Sequence, residues 1–229
     1  KIMFCDKSRI HHHPTCIGGN DFADCYDRMA HPPASIALQS FGLSQQVIRV
    51  LLIAMQTMRF FLRTGFGESS RSYGGSTENP TLSLGQGNAA AGPTFAAISS
   101  LIVNAYLREG HGTRVLTSLT NRLFVLAAVL YVDDTDNIHM SPCVTDSPSD
   151  LIQHAQNSTN AWGGLAIATG AAMKPGKCFA YFMTYKVFRG QHVLEQIENL
   201  PAPSSQIAQD DADSLPSHLT VPLPGGISA

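Results

Sequence analysis

The apolar run from Leu123 to Val132 ends abruptly at two adjacent acids, Asp133 and Asp134. Neighbouring carboxylates at the rim of a buried sheet repel each other and lose hydration, so they require solvent or a cation. One interpretation is a hairpin turn, where aspartate is favoured because it tolerates left-handed backbone. The other is a Mg²⁺ site, because Mg²⁺ prefers one or two carboxylates together with phosphate oxygens. This segment alone leaves both interpretations open.

Composition narrows the class of protein. Of the 229 residues, 44% are hydrophobic and 14% are charged, which is typical of a globular chain with one large core or with a large and a small domain. The formal net charge of −2 mildly opposes nucleic-acid binding, because proteins that bind DNA or RNA usually concentrate Lys and Arg.

The apolar stretches and the cysteines predict an intracellular protein outside the membrane. The stretches at 47–62, 94–107 and 123–132 are short or interrupted by arginine, and none supplies the roughly 18 apolar residues of a membrane span. The five cysteines include no C-x-x-C pair and are odd in number, which indicates reduced thiols in the cytoplasm or nucleus.

Hydrophobic periodicity predicts an α+β fold, with an antiparallel sheet and helices packed on one of its faces. Three domain segments are expected: a poorly ordered lead-in at 1–20, the main domain at 21–198, and a linker with a partial hairpin at 199–229. Helices are predicted at 34–41, after a cap at Ser44, at 94–107 and at 150–168. The cap at Ser44 begins a helix whose buried face is expected to comprise Val47, Ile48, Leu51, Leu52, Met55 and Met58. Residues 64–83, rich in Gly, Ser and Thr, are predicted to be loop.

Two further segments carry residues suited to a polar site. The sequence "NDFADCYDR" places Asp21, Asp24 and Asp27 around a short strand, where an aspartate beside the hairpin can share a cation; surface turns also produce such acids. In "LGQGN", glycines flank Gln86 and allow the backbone to approach a ligand, although a flexible loop before a helix has the same composition. The loop lacks the phosphate-binding P-loop pattern.

Together and in this order, the motifs resemble the palm domain of reverse transcriptases, most closely the reverse-transcriptase-like proteins of eukaryotic retroelements. The sequence "YVDD" at 131–134 resembles the catalytic hairpin of that family, and "DFADCYDRMAH" resembles its preceding catalytic strand. The Gln-Gly loop of the family is similar to "LGQGN" followed by "GP", and a later lysine segment is similar to "LAIATGAAMKPGKC". The resemblance covers residues 14–188.

The resemblance implies an RNA-directed DNA polymerase that transfers a nucleotide from a dNTP to a primer 3′-hydroxyl, using two Mg²⁺ ions for which Mn²⁺ substitutes. Its partners would be an RNA template and a DNA primer. The metal ligands it implies are the carboxylates of Asp21, Asp133 and Asp134 and the backbone carbonyl of Phe22. Lys177, with Lys174 as its rival, would protonate or steady the pyrophosphate.

The resemblance also assigns the nucleotide contacts. Tyr26 would be the steric gate that selects deoxynucleotides, and Gln86 and Gly87 would lie against the nucleotide and template. Fingers and thumb regions are not recognisable, so the chain is expected to be a palm fragment. One alternative is a decayed or domesticated palm that serves as a scaffold or nucleic-acid-binding module, because "GQGNAAAGP" is one residue longer than the family pattern. Another is an unrelated Mg²⁺-dependent phosphohydrolase.

Overall fold

A computed structural model describes residues 2–117, 120–132, 134–141 and 147–195. The predicted hairpin near the C-terminus and the predicted site residue Asp133 lie outside these ranges. The described elements in chain order are α1 (Ile2–His11), β1 (Thr15–Ala23), α2 (Cys25–Arg28), α3 (His31–Ser40), α4 (Gln45–Gln56), β2 (Arg59–Thr64), β3 (Gly67–Gly74), α5 (Ala91–Arg108), β4 (Thr113–Leu116), β5 (Leu123–Leu126), β6 (Ala128–Tyr131), β7 (Asp134–Met140), α6 (Pro148–Ala168), β8 (Ala172–Met173), β9 (Phe179–Met183), β10 (Tyr185–Phe188) and β11 (Gln191–Leu194).

The chain divides into two compact units. Among the described residues, unit 1 comprises those within 2–22, 103–165 and 173–195, and unit 2 comprises residues 23–102 and 166–172. The predicted limits of the main domain at 21–198 stay a prediction. The α+β class is confirmed, with antiparallel strand pairs and helices in the same chain.

A five-stranded sheet built on β1 organises unit 1. The order is β6-β7-β1-β8, and β9 also pairs with β1. Antiparallel pairing with β7 extends along β1 from Thr15, opposite Met140, to Asp21, opposite Asp134. Pairing with β9 covers only the first part of β1, from Thr15 to Gly19. β1 and β7 both have partners on either side, so both are interior strands of this sheet.

The two faces of this sheet pack against different elements. On one face, Cys16 contacts Leu151 and Ala155 of α6, and the ring of Phe22 stacks on Trp162 at 6.4 Å between centroids. On the other face, Ile17 and Ile138 form a core with Phe4 of α1, together with Val115 and Met183. Alternation along the strands explains this division, because successive side chains point to opposite faces. The long helix α6 thus covers one face of the sheet, and α1 packs on the opposite one.

The apolar run that ends at Val132 forms two strands instead of one. β5 pairs with β4, and β6 pairs with β7. β6 is the edge strand of the main sheet, and Val129 and Tyr131 are 41% and 78% exposed. The apolar composition of this strand therefore does not make it a buried strand. The reason is that apolar side chains are also tolerated on an exposed edge, which composition alone does not distinguish.

In unit 2, the helix start predicted after Ser44 agrees with the structure, whereas α3 begins three residues before its predicted start at 34. Ser44 caps α4, and its Oγ accepts a hydrogen bond from the Val47 backbone N–H at 3.4 Å. The prolines after His31 occupy the first turn of α3, where proline removes no helical hydrogen bond. The predicted apolar face of α4 is only partly buried, because Ile48 and Met55 are covered while Val47 is 54% exposed.

Two segments differ from the sequence-based expectation. Residues 67–74, expected as loop, form strand β3, which pairs with β2. Residues 1–20, expected as a poorly ordered lead-in, contain α1 and most of β1. Glycine- and serine-rich strands lack a hydrophobic period, so pairing with a neighbour decides their conformation. None of the described helices combines the length and the apolar character needed to cross a membrane.

Candidate active site

Asp21 and Asp134 are cross-strand neighbours in the sheet of unit 1. They lie directly opposite each other on β1 and β7, and antiparallel partners have Cβ atoms roughly 4.5–5.5 Å apart. Asp21 is 6% exposed, whereas Asp134 is exposed. The structure thus brings together two acids that the sequence places far apart. Their partner in the predicted motif, Asp133, lies outside the described residues.

A third acid, Asp136, lies on the same side of the sheet. It is two residues beyond Asp134 on β7 and pairs with Gly19 in register. Strand alternation therefore places Asp134, Asp136, Gly19 and Asp21 on one face. Asp136 is not among the site residues predicted from the sequence, although its two-residue spacing after Asp134 within a strand is the signal that identifies it.

Phe179 forms a wall beside these acids. Its ring lies against Gly19, where an added Cβ would come within 2.3 Å of the ring. A glycine is therefore required at position 19 if the Phe179 ring is to stay in this close contact with the strand. The resulting cavity has a volume of about 280 Å³ and is lined by Gly19, Asp21, Asp134, Asp136, Lys177 and Phe179, among others.

Lys177 contacts the buried acid directly. Its ammonium nitrogen lies 3.1 Å from Oδ2 of Asp21, and its side chain is 59% exposed. The short 3₁₀ turn Pro175–Lys177 carries it. This turn is fixed by the backbone N–H of Lys174, which donates to the Asp21 carbonyl at 2.9 Å. Of the two lysines considered from the sequence, Lys177 supplies the side chain and Lys174 the backbone contact.

Cys178 holds the other end of that turn. Its Sγ donates a hydrogen bond to the Lys174 carbonyl at 3.3 Å, and burial raises the pKa of the thiol. A raised pKa keeps the thiol protonated and therefore able to donate. Two hydrogen bonds thus fix the turn that carries Lys177. One runs from the Lys174 N–H to the Asp21 carbonyl, and the other from the Cys178 thiol to the Lys174 carbonyl.

The turn between β6 and β7 contains a strained residue. Val132 adopts φ +56°, a left-handed conformation that is rare for β-branched side chains. The sequence predicts an aspartate in this role. A valine in this conformation indicates that pairing of the two flanking strands imposes the turn geometry.

Phe22 follows Asp21 and is 3% exposed, with its ring packed on Trp162. Only its backbone is therefore suited to a site role, as the resemblance implies. The carboxylates of Asp21 and Asp134 provide the oxygen donors that Mg²⁺ prefers. Within the described ranges, however, no group of three or more His, Cys, Asp and Glu side chains is arranged to hold a metal ion. A cation held by these two carboxylates would take its remaining ligands from phosphate and water.

The other predicted site residues lie in unit 2, where they form a second group. The backbone carbonyl of Tyr26 accepts a hydrogen bond from Leu84 N–H at 2.9 Å, and its ring packs edge-on against Phe95 at 5.5 Å. The exposed residues Gln86 and Gly87 follow Leu84 closely in the chain. The steric-gate candidate and the Gln-Gly loop are therefore joined through the backbone.

Asp27 strengthens this connection. Its Oδ1 accepts a hydrogen bond from the Ser83 hydroxyl at 3.0 Å, and the Ser83 Oγ accepts one from Gly85 N–H at 2.8 Å. Gly85 and Gly87 adopt φ +72° and +86°, which glycine permits without strain. Ser83 is a positioning residue that the sequence analysis missed, because a serine in a polar loop carries no pattern of its own.

No protein-family model and no curated protein sequence matches the chain. Among solved structures, the fold is similar to apo telomerase from Candida tropicalis truncated from its C-terminal domain, with a TM-score of 0.52 and 13% identity over 84% of this chain and 37% of that chain. It is also similar to Candida tropicalis telomerase in complex with a TWJ fragment of telomeric RNA, with a TM-score of 0.50 and 13% identity over 91% of this chain and 34% of that chain.

This chain spans about a third of the length of those telomerase chains. At 13% identity, the similarity shows the fold alone. Telomerase chains contain a reverse-transcriptase-like fold, which agrees with the resemblance identified in the sequence motifs. The fold of this chain is therefore similar to that of a part of those telomerase chains.

Proposed function

We propose that this chain is the palm of an RNA-directed DNA polymerase, which transfers a nucleotide from a dNTP to a primer 3′-hydroxyl. The observation that carries the proposal is the cross-strand pair of Asp21 and Asp134 with Lys177 at its edge. The reverse-transcriptase-like fold supports it. One of the similar telomerase structures is a complex with telomeric RNA, which supports a nucleic-acid partner for this chain.

The roles follow from the chemistry of each side chain. Asp21, Asp134 and Asp133 would hold Mg²⁺ or Mn²⁺, with the Phe22 carbonyl as a further oxygen donor. When bound, such ions would supply the activation of the attacking hydroxyl and the stabilisation of the leaving pyrophosphate. The ammonium of Lys177 supplies the proton that the pyrophosphate takes up.

The group in unit 2 would contact the substrates. Tyr26 limits the space beside the sugar and so excludes a ribose 2′-hydroxyl. Gln86 and Gly87 contact the nucleotide and template, and the Ser83 hydrogen bonds to Asp27 and Gly85 N–H hold their loop. We place the protein in the cytoplasm or nucleus, with an RNA template and a DNA primer as its partners.

Primer extension tests this function. The chain is incubated with a DNA primer on an RNA template, dNTPs and Mg²⁺, and compared with Asp134→Asn. Extension is expected to fall by about 100-fold or more in the variant, because it loses a carboxylate ligand of the catalytic cation. The matched control is Asp6→Asn, an exposed acid on α1, which should extend normally. Equal extension by Asp134→Asn and the parent chain would refute the assignment.

A second candidate function is a scaffold or nucleic-acid-binding module without catalysis. The observation favouring it is that the ammonium of Lys177 occupies an oxygen of Asp21 that a cation would use. Under this alternative, the parent chain binds RNA but extends no primer with Mg²⁺ or Mn²⁺. Binding and extension measured on the same preparation distinguish the two functions.

A further inference from the structure

The β2–β3 hairpin in unit 2 has little cover on either face. Phe61, Leu62, Phe66 and Tyr73 are 51%, 63%, 104% and 66% exposed, respectively. An isolated two-stranded hairpin is at best marginally stable in water, and clustered exposed apolar side chains commonly mark a binding surface. This hairpin therefore has the character of a surface that meets a partner.

The base of the hairpin is fixed to the end of α4. Gly75 N–H donates to the Met58 carbonyl at 3.1 Å, and Thr81 N–H donates to the Gln56 carbonyl at 3.0 Å. A Cβ at Gly74 would come within 2.2 Å of the Met58 carbonyl oxygen, so glycine there permits the close approach. The exposed side chains are thus presented from an anchored base.

Charge on the hairpin is opposite in sign to that of the whole chain. Of the five arginines of unit 2, three lie on the hairpin: Arg59, Arg63 and Arg71. Glu68 is the acid of the same segment and pairs with Arg63 in register. The hairpin therefore carries a net charge of +2 in a chain whose formal charge is −2, and this local excess complements an anionic partner.

Aromatic and basic side chains lie close together on the hairpin. Phe60 and Tyr73 are paired in register, and their rings stack with centroids 5.4 Å apart and planes 25° apart. Arg59 and Phe61 share the opposite face by strand alternation, whereas Arg71 lies where the strand register shifts. The hairpin thus combines cations for phosphates with aromatic rings on which bases can stack.

We propose that the β2–β3 hairpin is a binding surface for single-stranded nucleic acid. Stacking on exposed rings requires unpaired bases, which a regular duplex does not offer. Arginine in place of lysine adds stacking to charge, because its guanidinium is planar. The inference goes beyond the proposed polymerase activity, since it concerns binding by unit 2 and requires neither Asp21 nor Asp134.

Fluorescence anisotropy of the whole chain with labelled oligouridine and oligothymidine tests this surface. Phe66→Ala is expected to raise Kd about fivefold or more, because one stacked base is lost. Arg71→Gln should reduce the magnitude of the slope of log K against log salt by about 0.7, the value for one phosphate contact on a single strand. The matched controls on α4, Val50→Ala and Arg49→Gln, are also exposed and should bind like the parent chain.

Three results would overturn the proposal: no binding by the parent chain, equal binding by the hairpin variants and the controls, or tighter binding of duplex than of single strands. A dimer that Phe66→Ala dissociates, without any change in nucleic-acid binding, would identify a second copy of the chain as the occupant instead. The polymerase proposal is tested separately, because Asp134→Asn should abolish extension while leaving anisotropy binding unchanged.

Discussion

The ammonium nitrogen of Lys177 lies 3.1 Å from a carboxylate oxygen of Asp21, the acid that faces Asp134 across the sheet. This ion pair compensates a nearly buried negative charge. A metal ion bound to this carboxylate oxygen would displace the ammonium, and the exposed lysine side chain has solvent into which it can move. We therefore expect lysine and cation to compete for one carboxylate.

Replacing Lys177 with methionine is expected to tighten Mn²⁺ binding severalfold, because the competitor for Asp21 is removed. Without Mn²⁺, the variant should melt at a lower temperature than the parent chain, since Asp21 then faces Asp134 without a compensating charge. Isothermal titration and thermal unfolding with and without Mn²⁺ measure both effects. Lys174→Met is the matched control, because Lys174 contacts Asp21 through its backbone N–H; weaker Mn²⁺ binding by Lys177→Met would contradict the competition.

Gly19→Ala is expected to lower the free energy of unfolding by about 1–3 kcal/mol, the usual cost of overpacking. Its Cβ would lie 2.3 Å from the Phe179 ring, which must then move. Chemical denaturation measures the loss, and combining the change with Phe179→Leu should recover part of it. Gly164→Ala on α6 is the control: no heavy atom lies within 4 Å of its added Cβ, so helix propensity should make it neutral or stabilising.

Val132→Asn is expected to raise the free energy of unfolding by up to about 1 kcal/mol, because asparagine adopts the left-handed backbone at lower cost. The Val132 side chain is 44% exposed, so little packing is lost. Val129→Asn is the matched control in a regular strand with 41% exposure, and it should destabilise because asparagine is disfavoured there. Equal effects of the two substitutions would argue against strain at the turn.

Stability should fall in mild acid because of His139. Burial lowers the pKa of this residue to about 4, and the nearby His111 and His154 add to the shift. An unfolded histidine titrates near pH 6.5, so below that value the unfolded state binds more protons than the folded one. The free energy of unfolding is therefore highest above pH 6.5 and falls by roughly 2–3 kcal/mol as the pH drops to about 4.

Urea denaturation across this pH range measures the effect. His139→Gln should flatten the dependence, whereas His11→Gln, an exposed residue at the end of α1, should retain it. A pH dependence that is the same in the parent chain and in His139→Gln would assign the acid sensitivity to other groups.

The sequence predicts best where a local signal decides the structure. The Ser44 cap and the prolines of α3 identify helix starts because their hydrogen bonding is satisfied within a few residues. The resemblance to reverse transcriptases implies that Asp21 lies close to the acids that follow the apolar run. The register of β1 and β7 shows that Asp134 is its cross-strand neighbour. The metal ions, the substrates and the role of Asp133 remain predictions.

Features that depend on distant contacts escaped prediction. Asp136 joins the site because β7 continues through it, and Gly19 matters because Phe179 lies on it. β3 forms because β2 supplies hydrogen bonds to a strand without hydrophobic pattern. Each of these features depends on which segments pack or pair with each other. The sequence of one segment does not identify the segment that it contacts.

The central position of β1 has a consequence for how the chain acquires its site. β1 pairs along its length with a strand that emerges much later, as shown by the hydrogen bond between Asn20 and Asn137, which are 117 residues apart. Such non-local pairing is slow, because a long loop must close before any contact compensates for its lost entropy. During synthesis, the contacts of Asp21 therefore form only after β7, and then the turn that carries Lys177, has left the ribosome. The acidic site is among the last parts of unit 1 to assemble.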